Sequence, residues 1–393
     1  MSRGRFDISF RTWPNNISIR IEPEKFEMSI KVLVISNYRS QHTARPEAAI
    51  FFGLAKLGFD IHVMTWGDSS FVPDFRAAGM IVVDFHPKKK FDRKESEFIR
   101  QYVIDHKIDI MHLFNSPATI NGIRAAKGLP VKVVLYRGYT GNIHWWDPTA
   151  YFKYLHPRVD AIFCNSIGVK KLFDRQLFFK KSKAVTINKG HDLAWYDYEP
   201  IDIRSELGIN KDALLLVTVA NNRRMKGVPY LLKAMSALPQ GLNIHLLLIG
   251  RDMDTSQNLR ILEKGGYKDN VHFLGFRRDV LNIEASCDIF VLPSITGESI
   301  TKSVIEAMSL GVGAIISDIP GNVELVDDGV NGLVFPSKNV KALASAIEKV
   351  YNDRTLVEKF GRASRDRVAT VLNTEQTVVK TKKLYEDLMY GVI

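Results

Sequence analysis

Cysteine is nearly absent from the 393 residues: only Cys164 and Cys287, far apart and each inside an apolar run. That excludes a disulfide framework or a thiolate metal site and predicts two buried thiols in a reducing cytoplasm. Long hydrophobic runs are also lacking, and none approaches the roughly 18 residues that a membrane-crossing helix requires. Residues 1–27 mix arginines, Trp13, Pro14 and acids without the apolar centre of a signal peptide, so they read as an N-terminal extension. There is no Walker A loop, no Gly-x-Gly-x-x-Gly fingerprint and no His/Cys cluster with zinc spacing, which weighs against NTPase, dehydrogenase and zinc-enzyme readings. Asp252-Met-Asp254 has the spacing of a metal-binding D-x-D pair, yet it follows Ile249-Gly250 and reads as a loop exposing two acids.

What is present is apolar residue in ordinary amount, 46%, in a chain long enough for two domains. The net charge of +11 is unevenly spread: residues 1–200 hold 30 Lys+Arg against 20 Asp+Glu, and 201–393 hold 24 against 23. Lys88-Lys89-Lys90 with Arg93 and Lys94, and Arg175 with Lys180, Lys181 and Lys183, are the densest runs. A basic face attracts an anionic membrane, an acidic polymer or nucleic acid, although any single run is more simply a solvated surface. A nucleic-acid partner is disfavoured by the near-neutral second half and the absence of a recognition motif. Peripheral attachment of the first half to the cytoplasmic membrane face is the expectation that the asymmetry supports.

Short β-branched runs recur from Ile30 onward: 31–36, 59–66, 80–86, 108–114, 132–138, 161–166 and 184–190. Helical patterns lie between most of them, for example Pro46 to Leu57. The series then restarts at 214–220, 243–250, 271–276, 288–294, 313–318 and 332–336. Continuous apolar strands alternating with helices predict parallel sheets covered on both faces. The expected architecture is therefore α/β, two tandem Rossmann-like doubly wound domains with a cleft between them. We place the first at 28–195 and the second at 196–372, with 191–210 as a polar connection. Residues 373–393 form a last helix capped by Asn373, with Val378, Thr381, Tyr385 and Leu388 on the face that packs back on the body.

Chemistry concentrates at two strand-to-helix loops of the second series. After the fourth strand comes Gly297-Glu298-Ser299-Ile300-Thr301-Lys302, then Glu306, which predicts a helix with Glu298 at or near its start. Eight helical residues rise about 12 Å, a span that separates the sugar and ribose ends of a nucleotide sugar. Two carboxylates can grip hydroxyls at either end while free backbone N–H groups at Ile300 to Lys302 receive phosphate. The plainer reading, a helix-dipole complement at Glu298 and a surface acid at Glu306, fits the same spacing. After the first strand comes Asn221-Asn-Arg223-Arg224-Met-Lys226-Gly227, whose cations suit a departing diphosphate, or else merely a basic loop. The helix that follows should bury Val228, Leu231, Leu232, Met235 and Leu238.

These residues resemble the retaining glycosyltransferases of the group 1, family 4 type. The match runs through Glu298–Glu306, Arg223, Lys226-Gly227, Ile319-Pro-Gly-Asn-Val-Glu324 and Asp328-Gly-Val-Asn-Gly332. It covers about residues 214–350, and 30–213 as general architecture. The resemblance implies the two-domain GT-B fold, with no cofactor or required metal and a nucleotide-sugar donor, UDP-sugar first and GDP-sugar second. Under it, Glu298, Arg223 and Lys226 are catalytic, and Glu306, Ser299, Ile300, Thr301, Lys302, Gly250 and Arg251 hold the donor. Front-face substitution with retention is the implied mechanism, the leaving phosphate helping to deprotonate an acceptor hydroxyl on a glycan, glycolipid or small molecule.

The chain departs from the family where Glu298-Ser-Ile-Thr301 replaces Glu-Gly-Phe-Gly, where no Gly-Gly pair occupies the first loop, and where Arg137-Gly138 replaces His-Gly. Arg137, Gly138, His144, Arg39 and His42 are the acceptor-side candidates, with Trp145 and Trp146 as stacking platforms or, as the plainer reading, core residues. Two rival functions share the fold: a non-catalytic scaffold binding an anionic membrane or glycan, and a sugar-nucleotide epimerase.

Overall fold

The computed structural model describes residues 29–141, 143–178 and 183–392. The extension 1–27 and the run Lys180–Lys181 lie outside them. All thirteen expected strands form. Seven build one parallel sheet: β1 (Lys31–Ile35), β2 (Asp60–Thr65), β3 (Ile81–Asp84), β4 (Ile110–Leu113), β5 (Lys132–Arg137), β6 (Ala161–Cys164) and β7 (Ala184–Thr186), in the order β3-β2-β1-β4-β5-β6-β7. Six build a second: β8 (Leu214–Val219), β9 (Ile244–Ile249), β10 (Val271–Gly275), β11 (Ile289–Leu292), β12 (Gly313–Ser317) and β13 (Gly332–Phe335), in the order β10-β9-β8-β11-β12-β13.

Each central strand is buried on both faces because helices cover both, which is why its sequence reads as an unbroken apolar run. Strand order reverses between β1 and β4 in the first sheet and between β8 and β11 in the second. At such a reversal neighbouring connections leave for opposite faces, so a crevice opens beyond the strands' C-terminal ends. The loops after β8 and β11, which carry the expected donor residues, flank that crevice.

Local signals work as the sequence indicates in several places. Asn373 accepts from Gln376 N at 2.8 Å and starts the helix Thr374–Met389, whose Val378, Thr381, Tyr385 and Leu388 are all buried. The helix Val228–Ala237 buries Val228, Leu231, Leu232 and Met235, with Leu238 just beyond it also buried. Both cysteines are free and buried. Elsewhere the reading needs correction. The first helix runs Gln41–Lys56 and contains Pro46, rather than starting there. The connection after β7 is not a polar spacer: Trp195 and Tyr196 are buried among Ala49, Leu281 and Leu310.

Thr374–Met389 does not pack on the sheet that precedes it. It lies against Gln41–Lys56, where Val378 and Tyr385 join Val32, Val34 and Ile110 in one apolar layer. The chain therefore crosses between the sheets twice. The crossings touch, with His191 N donating to Leu372 O at 2.8 Å and Gly190 N to Thr377 Oγ1 at 2.8 Å.

Candidate active site

The loop after β8 turns tightly at Gly227, whose φ is +69°. A Cβ there would overlap the carbonyl oxygen of Pro293, so only glycine lets this loop pack against the one after β11. Ile295 N donates to Met225 O at 2.8 Å and ties the two loops together. Across this junction Lys226 Nζ lies 2.6 Å from Glu298 Oε1, with the two side chains 17% and 11% exposed. Ser294 Oγ donates to the same carboxylate oxygen at 2.9 Å. Two residues more than seventy positions apart are thus joined at the crevice as a largely desolvated pair.

Glu298 is not on the helix. The helix spans Lys302–Ser309 with Thr301 at its N-cap, so residues 294–301 form a loop and the rise of eight helical residues does not apply between the glutamates. A positive φ at Gly297, +78°, and the close approach of Gly321 to the Ser299 carbonyl pull the chain out of helical geometry there. Ser299 and Thr301 are buried, Ile300 is half-buried, and Thr301 Oγ1 lies 3.5 Å from Asn322 Oδ1. Their side chains face inward, which leaves their backbone as the surface able to meet a ligand. Lys302 forms an ion pair with Glu306 one turn further on.

Gly250 and Arg251 follow β9. Asn222 N donates to Arg251 O at 3.1 Å, which holds the two loops side by side, and the Arg251 guanidinium lies 5.3 Å from the Phe276 ring. Arg223 is exposed, next to Asn222. Asp252 and Asp254 are exposed on either side of buried Met253. Among the described residues no group of three or more His, Cys, Asp or Glu is arranged to hold a metal ion.

The acceptor-side candidates are scattered by comparison. Arg137 is buried, and its guanidinium donates to the carbonyls of Tyr139 at 2.9 Å and Gly141 at 2.6 Å, so it holds its own loop together. Gly138 gives room to the Tyr136 hydroxyl. Arg39 pairs with Asp68 at 3.0 Å and lies over Trp66, while His42 is exposed. His144 stacks on Trp146 at 4.8 Å. The core reading of the tryptophans is overturned: Trp145 is 50% and Trp146 64% exposed.

Several buried or half-buried groups were not singled out from the sequence as site candidates. His191, in the connection, is buried beside Lys302, Arg45 and Lys189, and burial first, then those cations, push its pKa down to about 3. Lys189 Nζ pairs with Glu47 Oε2 at 2.9 Å and lies 3.8 Å from the Tyr136 ring. Glu324 spans the two sheets: its carboxylate accepts from Gly168 N at 3.2 Å and Asn188 Nδ2 at 3.3 Å. Their partners are fixed by tertiary contact, so only Glu324, inside a recognised motif, was visible beforehand.

With this geometry in view, the comparisons with known proteins are decisive for family. The model described as glycosyl transferases group 1 matches residues 201–367, and that of glycosyltransferase family 4 matches 50–195. The chain belongs to the group 1 glycosyltransferases. The first match takes in Arg223, Lys226, Gly250, Arg251 and 298–306, and the second Arg137, Gly138 and His144; Arg39 and His42 precede both. This group 1 member is similar to the N,N'-diacetylbacillosaminyl-diphospho-undecaprenol alpha-1,3-N-acetylgalactosaminyltransferase of Campylobacter jejuni, 32% identical over 253 residues. That stretch is 61% of this chain and 63% of the relative, less than two thirds of its length. In fold it is similar to a glycosyltransferase from Rickettsia africae, with TM-score 0.76 and 17% identity over 92% of this chain and 99% of that one. An Anabaena protein crystallised with UDP gives TM-score 0.71 and 17% identity, covering 92% and 100%.

Proposed function

We propose that this family member transfers a sugar from a nucleoside diphosphate sugar, a UDP-sugar first and a GDP-sugar second, to an acceptor hydroxyl with retention of configuration. The observation that carries the proposal lies at the second strand-order reversal, where Lys226 pairs with Glu298 across the loops after β8 and β11 and Lys302 pairs with Glu306 on the helix that follows. An incoming diphosphate competes for both ammonium groups. It frees Glu298 for sugar hydroxyls and Glu306 for the ribose, while Lys226, Arg223 and the first N–H groups of Lys302–Ser309 take the phosphate charge. As the glycosidic bond breaks, that charge grows on the leaving diphosphate, and cations already fixed in a dry crevice lower the barrier without reorganising. Glu298 and Glu306 are committed to hydroxyls and neither is assigned as a nucleophile, so in this reading the acceptor approaches from the leaving-group face and gives its proton to the departing phosphate.

The Campylobacter relative acts on a diphospho-undecaprenol glycan, and a lipid-linked acceptor suits this chain too. Trp145, Trp146, Tyr151, Phe152 and Phe178 are exposed on the first half, Phe91 packs edge-on against Phe152, and Lys88–Lys90 lie close by in sequence. Exposed aromatics beside cations suit the interface of an anionic bilayer on the cytoplasmic side. Co-sedimentation with vesicles should be stronger with anionic lipid and weaker for Trp146→Ser; equal binding to neutral vesicles removes the electrostatic part.

Thermal shifts with UDP, GDP and ADP and their sugar conjugates test the donor assignment. Selective stabilisation is expected in wild type and its loss in Glu306→Ala. No shift with any nucleotide at millimolar concentration turns the reading towards a non-catalytic scaffold.

A further inference from the structure

Behind the crevice lies a carboxyl group that the proposed reaction does not use. Glu284 sits on the short helix Val280–Ala285 and is 1% exposed. Among the described residues neither of its carboxyl oxygens has a hydrogen-bond partner. That helix packs on Lys302–Ser309, and Ile283 shares one apolar layer with Val304, Ile305 and Met308. The titratable groups facing Glu284 are Glu306 and Lys302 from that helix, Tyr196 from the connecting turn, and Cys287 beyond its own helix. Burial above all, then the charge of Glu306, raise its pKa well above the ordinary glutamate value, and Lys302 opposes them.

Burial favours the neutral form of such a carboxyl, and in that form it is an O–H donor in search of an acceptor. Glu306 is paired with Lys302. We propose that Glu284 is a positioning residue for the nucleotide: when the diphosphate draws Lys302 away, Glu284 donates to Glu306 and holds it towards the ribose. This rests on the donor reading above. Ionised Glu284 cannot donate, and it adds a second negative charge where a diphosphate must enter. Nucleotide affinity should therefore fall as pH rises through the Glu284 transition.

Calorimetric titration of UDP between about pH 6 and pH 9 compares wild type with Glu284→Gln, which keeps a donor that cannot ionise. Wild-type affinity is expected to fall by up to about tenfold per pH unit, the limit for one linked proton, while the variant stays level. A level wild-type profile, or parallel profiles in both proteins, overturns the proposal. A second measurement needs no nucleotide: thermal unfolding of wild type, Glu284→Gln, Glu306→Gln and the double variant. Glu284→Gln should raise the melting temperature at neutral pH, and by less in the Glu306→Gln background, because the repelling charge has gone. UDP binding with strictly additive unfolding overturns the pairing of Glu284 with Glu306 alone. Coupled unfolding with no binding of UDP, GDP or ADP at any pH overturns the donor reading and, with it, the role of Glu284 towards a ligand.

Discussion

The contact between Lys226 and Glu298 bears on stability and, in the proposed reaction, on chemistry. Each neutralises the other in a poorly hydrated crevice, so removing the ammonium leaves a carboxylate without its partner. Lys226→Met should lower kcat by about 100- to 1000-fold, the range for losing one preorganised charge-stabilising group. Nucleotide release from the sugar donor, followed in initial rates, checks it; an unchanged kcat removes Lys226 from the machinery. Gly227 makes a sharper demand on the backbone. Gly227→Ala places a Cβ at φ +69° against Pro293 and should cost more than about 1 kcal/mol, read from the urea midpoint. It should also weaken UDP binding, because the loop after β8 loses its seat.

At the level of elements, the helix Thr374–Met389 is anchored by a buried polar contact within an apolar layer. Tyr385 Oη lies 2.7 Å from His112 Nδ1, and both residues are fully buried. Tyr385→Phe leaves that nitrogen unsatisfied and should cost about 1–3 kcal/mol in urea unfolding. Burial, reinforced by Lys189, holds the pKa of His112 down at about 3, and His191 in the connection is likewise near 3. The native state keeps both rings neutral while the unfolded chain protonates them near pH 6.5. Stability from these two groups is therefore complete above about pH 6.5 and lost as pH falls towards 3, by about 1.4 kcal/mol per unit for each. Urea midpoints between about pH 5 and pH 7.5 should show that slope, and His112→Asn should remove one share of it.

The two sheets are joined over the whole molecule by adjoining crossings and by Glu324. Gly168 approaches Pro320 closely, while Glu324 holds the start of the helix Ile167–Gln176 together with Asn188. Burial raises the Glu324 pKa, so its charge depends on these donors. Glu324→Ala should open the cleft, increasing the radius of gyration in small-angle scattering, and should raise donor hydrolysis relative to transfer as water enters. UDP binding to the second half should persist. An unchanged radius would show that the crossings alone set the closure.

The sequence by itself determined the strands and the address of the candidate site. A parallel strand covered on both faces must be an unbroken apolar run, so all thirteen strands were legible, and the loops holding Arg223, Lys226 and Glu298–Glu306 followed from them. The helix start was misplaced by four residues because Glu298–Thr301 has no local signal against helix; the approach of Gly321 to Ser299 prevents it. Trp145 and Trp146 were read as stacking platforms or, more plainly, as core residues, and their exposure is decided by tertiary packing rather than by any local property. Glu284 and the Lys189–Glu47 pair were invisible for a related reason. A lone glutamate in an apolar helix becomes a buried, unpartnered acid only when a second helix brings Glu306 to it. Local periodicity encodes elements; burial, pairing and charge state belong to the tertiary structure, because they depend on neighbours distant in the chain.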